Sequence, residues 1–150
     1  MNIKTIYYGG LSILAAIGAW IAAALGGWNA ALQTMCIVMA VDYFTGIICA
    51  LFFKSSTKSE SGSFNSKASL IGLLKKGAML FVVLLAYNLD NLAGTLFLRE
   101  AVIFFFIGND GLSIVENLGL MGVPLPSVIK NAFEVLKQKG DNGKDNTGDT

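Results

Sequence analysis

The chain has no histidine, and its two cysteines, Cys36 and Cys49, fall within one apolar run. Without imidazole, histidine-dependent acid–base catalysis is excluded. Without a CxxC pair or a Cys/His cluster there is nothing from which to build a zinc or redox centre, so both thiols read as small packing residues. Charge is scarce as well. Only 14% of the 150 residues are Asp, Glu, Lys or Arg, against about 25% in an average soluble domain. A chain with so little polar surface cannot face water all round. No nucleophile–base pair or metal set is visible, so the sequence offers no enzyme centre, and neither a cofactor nor a nucleic-acid partner is expected.

What the sequence has instead is long apolar runs. Residues 6–28 carry no ionisable group apart from tyrosine phenols and are long enough to cross a hydrocarbon core of about 30 Å at about 1.5 Å per residue. A signal peptide would have an apolar core of only about 7 to 15 residues, so this run predicts a retained span. Tyr7, Tyr8 and Trp28 sit near its ends, where amphipathic rings favour the headgroup level. A second run, residues 31–53, follows after a tight turn. A third, 77–98, and a fourth, 101–122, are burdened by polar residues. The expectation is an all-α, multi-pass transmembrane protein. It has four spans, a C-terminal amphipathic helix over 126–139, one membrane-embedded domain over 1–140 and a disordered tail over 141–150.

Orientation follows from the stretch between the second and third runs. Residues 54–76 hold five lysines, Lys54, Lys58, Lys67, Lys75 and Lys76, against the single acid Glu60. Loops enriched in Lys and Arg stay on the cytoplasmic side. That placement, with Lys4 ahead of the first span, is expected to put both termini on the cytoplasmic side. The loop lysines, together with Lys130, Lys137 and Lys139 of the last helix, are expected at the membrane surface.

Two features concern assembly. Gly18, Ala22 and Gly26 form a small-residue stripe of the kind that lets helix backbones approach closely in lipid. Its partner is either a second copy or another helix of the same chain. Asp42 falls near the middle of the second run, on a stripe with Thr45, Gly46 and Cys49. A central carboxylate costs about 2.5 to 3.5 kcal/mol on an insertion scale, while each Leu, Ile, Val or Phe returns about 0.3 to 0.6 kcal/mol. The third run carries Asp90 and Asn91.

The fourth run carries Asn109, Asp110, Glu116 and Asn117, and a helical wheel sets these with Ser113 opposite Ile103, Ile107 and Ile114. Such a segment is not credible as a lone lipid-facing helix. Either its polar arc faces other helices and a water-filled space in an assembly, or its second half emerges onto the cytoplasmic surface. Asp42, Asp90 and Asp110 are expected near the midplane with no Lys or Arg at matching depth. Intramembrane acids mark functional sites by default. The basic helix after the Gly122–Pro126 turn suits an anionic inner leaflet or a partner helix.

Three passages carry a family resemblance: VDYFTGIICALF around Asp42, KASLIGLLKKG before the third run, and NDGLSIVENLGLMGVPLPSVIKNAFEVL from Asn109 to Leu136. They resemble the bacteriophage holin family that includes toxin-secretion and phage-lysis holins, over roughly residues 30 to 139. Asp110 stands where Glu is the more usual acid in that family. The resemblance implies a small inner-membrane protein that self-associates into lesions in the lipid bilayer. A cell-wall-degrading endolysin escapes through them without needing direct contact with the holin. On that view the midplane acids are tolerated early by protonation or interhelical hydrogen bonds and become hydrated as copies gather around a lumen. Rival readings are a small ion channel or transporter, and a membrane adaptor or holin antagonist that docks through the basic helix.

Overall fold

The computed structural model describes residues 2–53 and 66–141. The described chain is all-α, with helices α1 (Ile3–Ala24), α2 (Ala30–Ile48), α3 (Ser66–Ala93), α4 (Leu98–Leu120) and α5 (Ser127–Asp141). A π-helical turn, Cys49–Phe53, continues α2. The first four helices, α2 with its extension, are each long and apolar enough to cross a membrane. Lys54 and Lys58 and the tail beyond Asp141 lie outside the described residues.

Each helix stops where the chain chemistry stops it. The α1–α2 turn uses Gly26 and Gly27 at φ near +90°, a left-handed conformation that favours glycine. Asn29 then caps α2, its side chain accepting from the Leu32 amide at 2.9 Å. Gly94 (φ 69°) ends α3 and Gly122 (φ 78°) ends α4, with Pro124 and Pro126 following before α5.

Helix α3 begins at Ser66 rather than Gly77, so the second half of the expected loop is helical. Its SKASLIGLLKK stretch is rich in good helix formers, and the hydroxyl contact between Tyr43 and Ser69 at 2.7 Å ties it to α2. The same helix ends at Ala93, short of the expected Leu98, because Gly94 breaks it.

Helix α4 is the centre of the bundle, packing against α2, α3 and α5. The core is built from Leu25, Leu32, Met35, Met39, Val83, Ile103 and Ile107. Burial corrects the expected division of α4. Ile103, Ile107, Asp110, Ile114 and Asn117 are all buried, and their alternating spacing of three and four places them on one face. Asn109 and Glu116 are exposed. The polar residues of α4 therefore point in two directions, and the inward pair shares its face with isoleucines.

Helix α5 folds back along α4 instead of lying apart from it. Glycines make the contact possible. A Cβ on Gly108 would lie 2.6 Å from Phe133 O, one on Gly111 would strike the Phe133 ring, and one on Gly140 would lie 2.5 Å from Ala101 O. Lys139 Nζ stands 4.9 Å from the Phe104 ring and Lys137 Nζ 5.8 Å from the Phe105 ring, cation–π distances that anchor the ends of two lysines on α4.

Helix α1 has no buried residue. Gly18 meets nothing within 4 Å, and Ala22 is half-buried. Gly26, expected as the third member of that stripe, is a turn residue instead. A Cβ there would lie 2.6 Å from the Tyr87 ring and 2.8 Å from Arg99 Nε.

Candidate functional site

The buried face of α3 repeats Val83, Ala86 and Asp90, and one helical heptad before Val83 the same face carries Lys76. Lys76 is accordingly turned into the bundle, its side chain 13% exposed. Its ammonium lies 2.8 Å from Asp42 Oδ2 on α2 and donates to Asp110 Oδ2 on α4. Two carboxylates and one ammonium, from three different helices, thus meet in a cluster where the acids are almost fully buried.

One turn along, the polar side chains continue. Asn117 Nδ2 donates to Thr45 Oγ1 at 3.1 Å, Thr45 Oγ1 donates to the Asp42 carbonyl at 3.1 Å, and Cys49 Sγ donates to the Asn117 carbonyl at 3.2 Å. Cys49 opens the π-helical turn, where one extra residue per turn changes the direction of the following side chains. Among the described residues no buried side-chain nitrogen or oxygen lacks a hydrogen-bond partner. A network this complete holds the helices in register, because breaking any link leaves a polar group dry.

A second polar centre closes the opposite end of the bundle. Asp90 accepts from the Thr95 hydroxyl at 2.6 Å, the Leu98 amide at 3.1 Å and the Arg99 amide at 2.8 Å. It is thereby the anionic cap of α4, placed where the helix dipole and unpaired amides favour negative charge. The Arg99 guanidinium donates to the carbonyls of Leu25 (2.6 Å) and Gly27 (2.9 Å) and pairs with Glu100 at 2.8 Å. Asn29 also reaches Glu100, at 3.0 Å. Arg99 and Glu100 pair at the start of α4, where Arg99 is buried.

Depth follows from helix geometry. At about 1.5 Å per residue, Asp42 lies about 18 Å from the Ala30 end of α2 and Asp110 about 18 Å from the Leu98 end of α4. Where those helices cross a bilayer, both come near the middle of a hydrocarbon core of about 30 Å. Asp90 does not: it stands at a helix terminus, three residues from the end of α3.

Lys76, expected at the membrane surface with the other loop lysines, is turned into the bundle, and Asp42 and Asp110, expected without a cation at matching depth, share it. The signal was available, since Lys76 sits in step with Val83, Ala86 and Asp90, whereas Lys75 does not. Of the other candidates, Thr45 and Asn117 join the cluster and Gly46 is half-buried beside it. Asn91, Asn109 and Glu116 face outward. No group of three or more Cys, Asp or Glu side chains suited to a metal is found among the described residues.

The sequence profile described as the bacteriophage holin family matches residues 19–138, which takes in α2 to α4, most of α5 and every residue of both polar centres. The chain belongs to the bacteriophage holin family. A probable holin of Bacillus phage phi105 is 33% identical over 113 residues, covering 73% of this chain and 76% of its own. An uncharacterized 14.9 kDa protein of Clostridium perfringens is 34% identical over 140 residues, 92% of this chain and 98% of its own. YqxH of Bacillus subtilis is 31% identical over 118 residues, 77% of each. No solved structure matches. For this family member the profile begins inside α1 and covers the helices that carry the ion cluster.

Proposed function

We propose that this member of the holin family acts as a holin in the bacterial cytoplasmic membrane. It accumulates there as a helical bundle, associates with further copies, and opens lesions through which an endolysin reaches the cell wall. The observation that carries the reading, beyond family membership, is the Lys76–Asp42–Asp110 cluster. One ammonium bridges both carboxylates inside a single bundle, so each buried acid has a cationic partner while a newly inserted chain rests in lipid. The cluster also makes the resting state dependent on the mutual position of three helices. Any rearrangement that separates them exposes charge at a depth where only water can solvate it. Copies that rearrange together around a common lumen supply that water.

The test is expression in a bacterium with and without a co-expressed cytoplasmic endolysin. A holin stops growth abruptly and releases the endolysin, giving lysis in the paired culture only. A protein that depolarises the membrane while retaining the endolysin is a channel, and the holin reading then fails.

A further inference from the structure

Helix α5 is the feature that a resting four-span bundle does not explain. Its Lys137 backbone abuts Gly108 and its Phe133 ring abuts Gly111, while Gly140 meets Ala101 and Phe105. Asp141 lines a cleft with Leu89, Thr95, Phe97 and Leu98. Helix α5 therefore runs from the end where α4 finishes to the end where α4 starts, and ends beside the α3–α4 turn. If α4 crosses the bilayer, α5 lies alongside it through most of the hydrocarbon depth, with Lys137 near the middle, and Asp141 comes to the side of the α3–α4 turn, away from the cytoplasmic side expected for the C-terminus.

Lipid cannot solvate what α5 carries there. Lys130, Asn131, Glu134, Lys137, Gln138 and Asp141 recur at spacings of one and three, which places them on one continuous arc. All are exposed or half-buried. The glycine contacts fasten the neighbouring face of α5 to α4, and α4 is the one helix that α5 packs against substantially. Within the arc, Lys130 and Glu134 pair loosely at 3.9 Å and Lys137 Nζ stands 5.8 Å from the Phe105 ring, contacts too long to replace water around an ion at bilayer depth. Ionisable side chains at bilayer depth face either a protein partner or water. The Asp42–Lys76–Asp110 cluster takes the first course, inside one chain.

We infer that the polar arc of α5 takes the second and is the water-facing wall of the lesion, each copy presenting one α4–α5 hairpin to the lumen. This rests on the holin reading above and adds to it the surface of α5, which is exposed before any rearrangement of the buried acids of α2 and α4.

The test uses purified full-length protein with Cys36→Ser, Cys49 being kept because it is fully buried and donates within the polar network, reconstituted in vesicles loaded with fluorescent dextran. Single cysteines are introduced by Glu134→Cys or Gln138→Cys on the arc and by Leu85→Cys on α3, a site 59% exposed on an apolar face. The probe is an anionic, membrane-impermeant methanethiosulfonate. In leaking vesicles the arc cysteines are expected to react at least tenfold faster than Leu85→Cys, and their modification is expected to slow dextran release at least twofold. Equal rates at the arc and at Leu85→Cys overturn the inference, as does fast reaction that leaves release unchanged, the behaviour of a helix lying on the membrane surface. If the cysteine-replaced parent and the wild type release no dextran, the holin reading fails and takes the inference with it. Two arc positions are used so that misfolding of one variant leaves the comparison intact.

Discussion

Lys76 Nζ lies 2.8 Å from Asp42 Oδ2, joining α3 to α2 at the level where α4 contributes Asp110. Removing the ammonium leaves two carboxylates facing each other in the bundle. Lys76→Ala is expected to destabilise the fold by about 3 to 5 kcal/mol, the range for breaking a buried ion pair from one side. Unfolding in detergent micelles, followed by the fluorescence of Trp20 and Trp28, measures it. The triple replacement Asp42→Asn, Lys76→Met, Asp110→Asn removes all three charges together and is expected to recover most of that loss. A triple variant no more stable than Lys76→Ala would show that the charges are not coupled.

Asp42→Asn keeps the shape of the side chain and weakens its hold on Lys76. In cells the onset of lysis with a co-expressed endolysin is expected to shift relative to wild type at equal protein level. Unchanged timing for this variant and for Asp110→Asn would remove the cluster from the trigger.

At the other end of the bundle, Asp90→Ala strips three hydrogen bonds from the start of α4 and leaves two backbone amides and a hydroxyl without their acceptor. The expected loss is about 3 kcal/mol or more, read from the same unfolding titration. Thr95→Val removes one of those bonds and is expected to cost about 1 kcal/mol. Equal effects of the two substitutions would contradict the capping role.

The seam between α4 and α5 makes a contrast between neighbouring glycines. Gly111→Ala places its methyl against the Phe133 ring, which Phe133→Ala can relieve. Gly108→Ala meets backbone atoms of α5, which no side-chain change can relieve. Disulfide cross-linking between cysteines introduced in α4 and α5 is expected to drop for both glycine variants and to recover with Phe133→Ala only for Gly111→Ala.

Orientation is open to labelling. Leu96, 88% exposed in the α3–α4 turn, and Ser66, exposed at the start of α3, stand at opposite ends of α3. In intact spheroplasts an impermeant maleimide is expected to label Leu96→Cys, while Ser66→Cys is labelled only after lysis. The reverse pattern would invert the topology drawn from the lysine-rich loop.

The number, order and approximate extent of the membrane-crossing helices belong to the sequence itself, because each depends on local quantities: an unbroken apolar run, a glycine with positive φ, a proline pair. Family membership is local in the same sense, residing in short passages such as the one from Asn109 to Leu136. The start of α3 was harder to place, since a lysine-rich stretch reads as a loop until its apolar residues are seen to pack.

Partnership was decided only in three dimensions. Lys75 and Lys76 are neighbours with the same chemistry, yet a rotation of about 100° along the helix sends the latter into the bundle, where Asp42 and Asp110 arrive from segments distant in the chain. Asp90 looks like Asp42 in sequence but ends as a helix cap, because the turn after Gly94 brings the amides of α4 back to it. The fold-back of α5 likewise depends on glycines from two helices meeting. A charge's burial is set by what the other helices bring to it, and that sum over distant segments cannot be read one segment at a time.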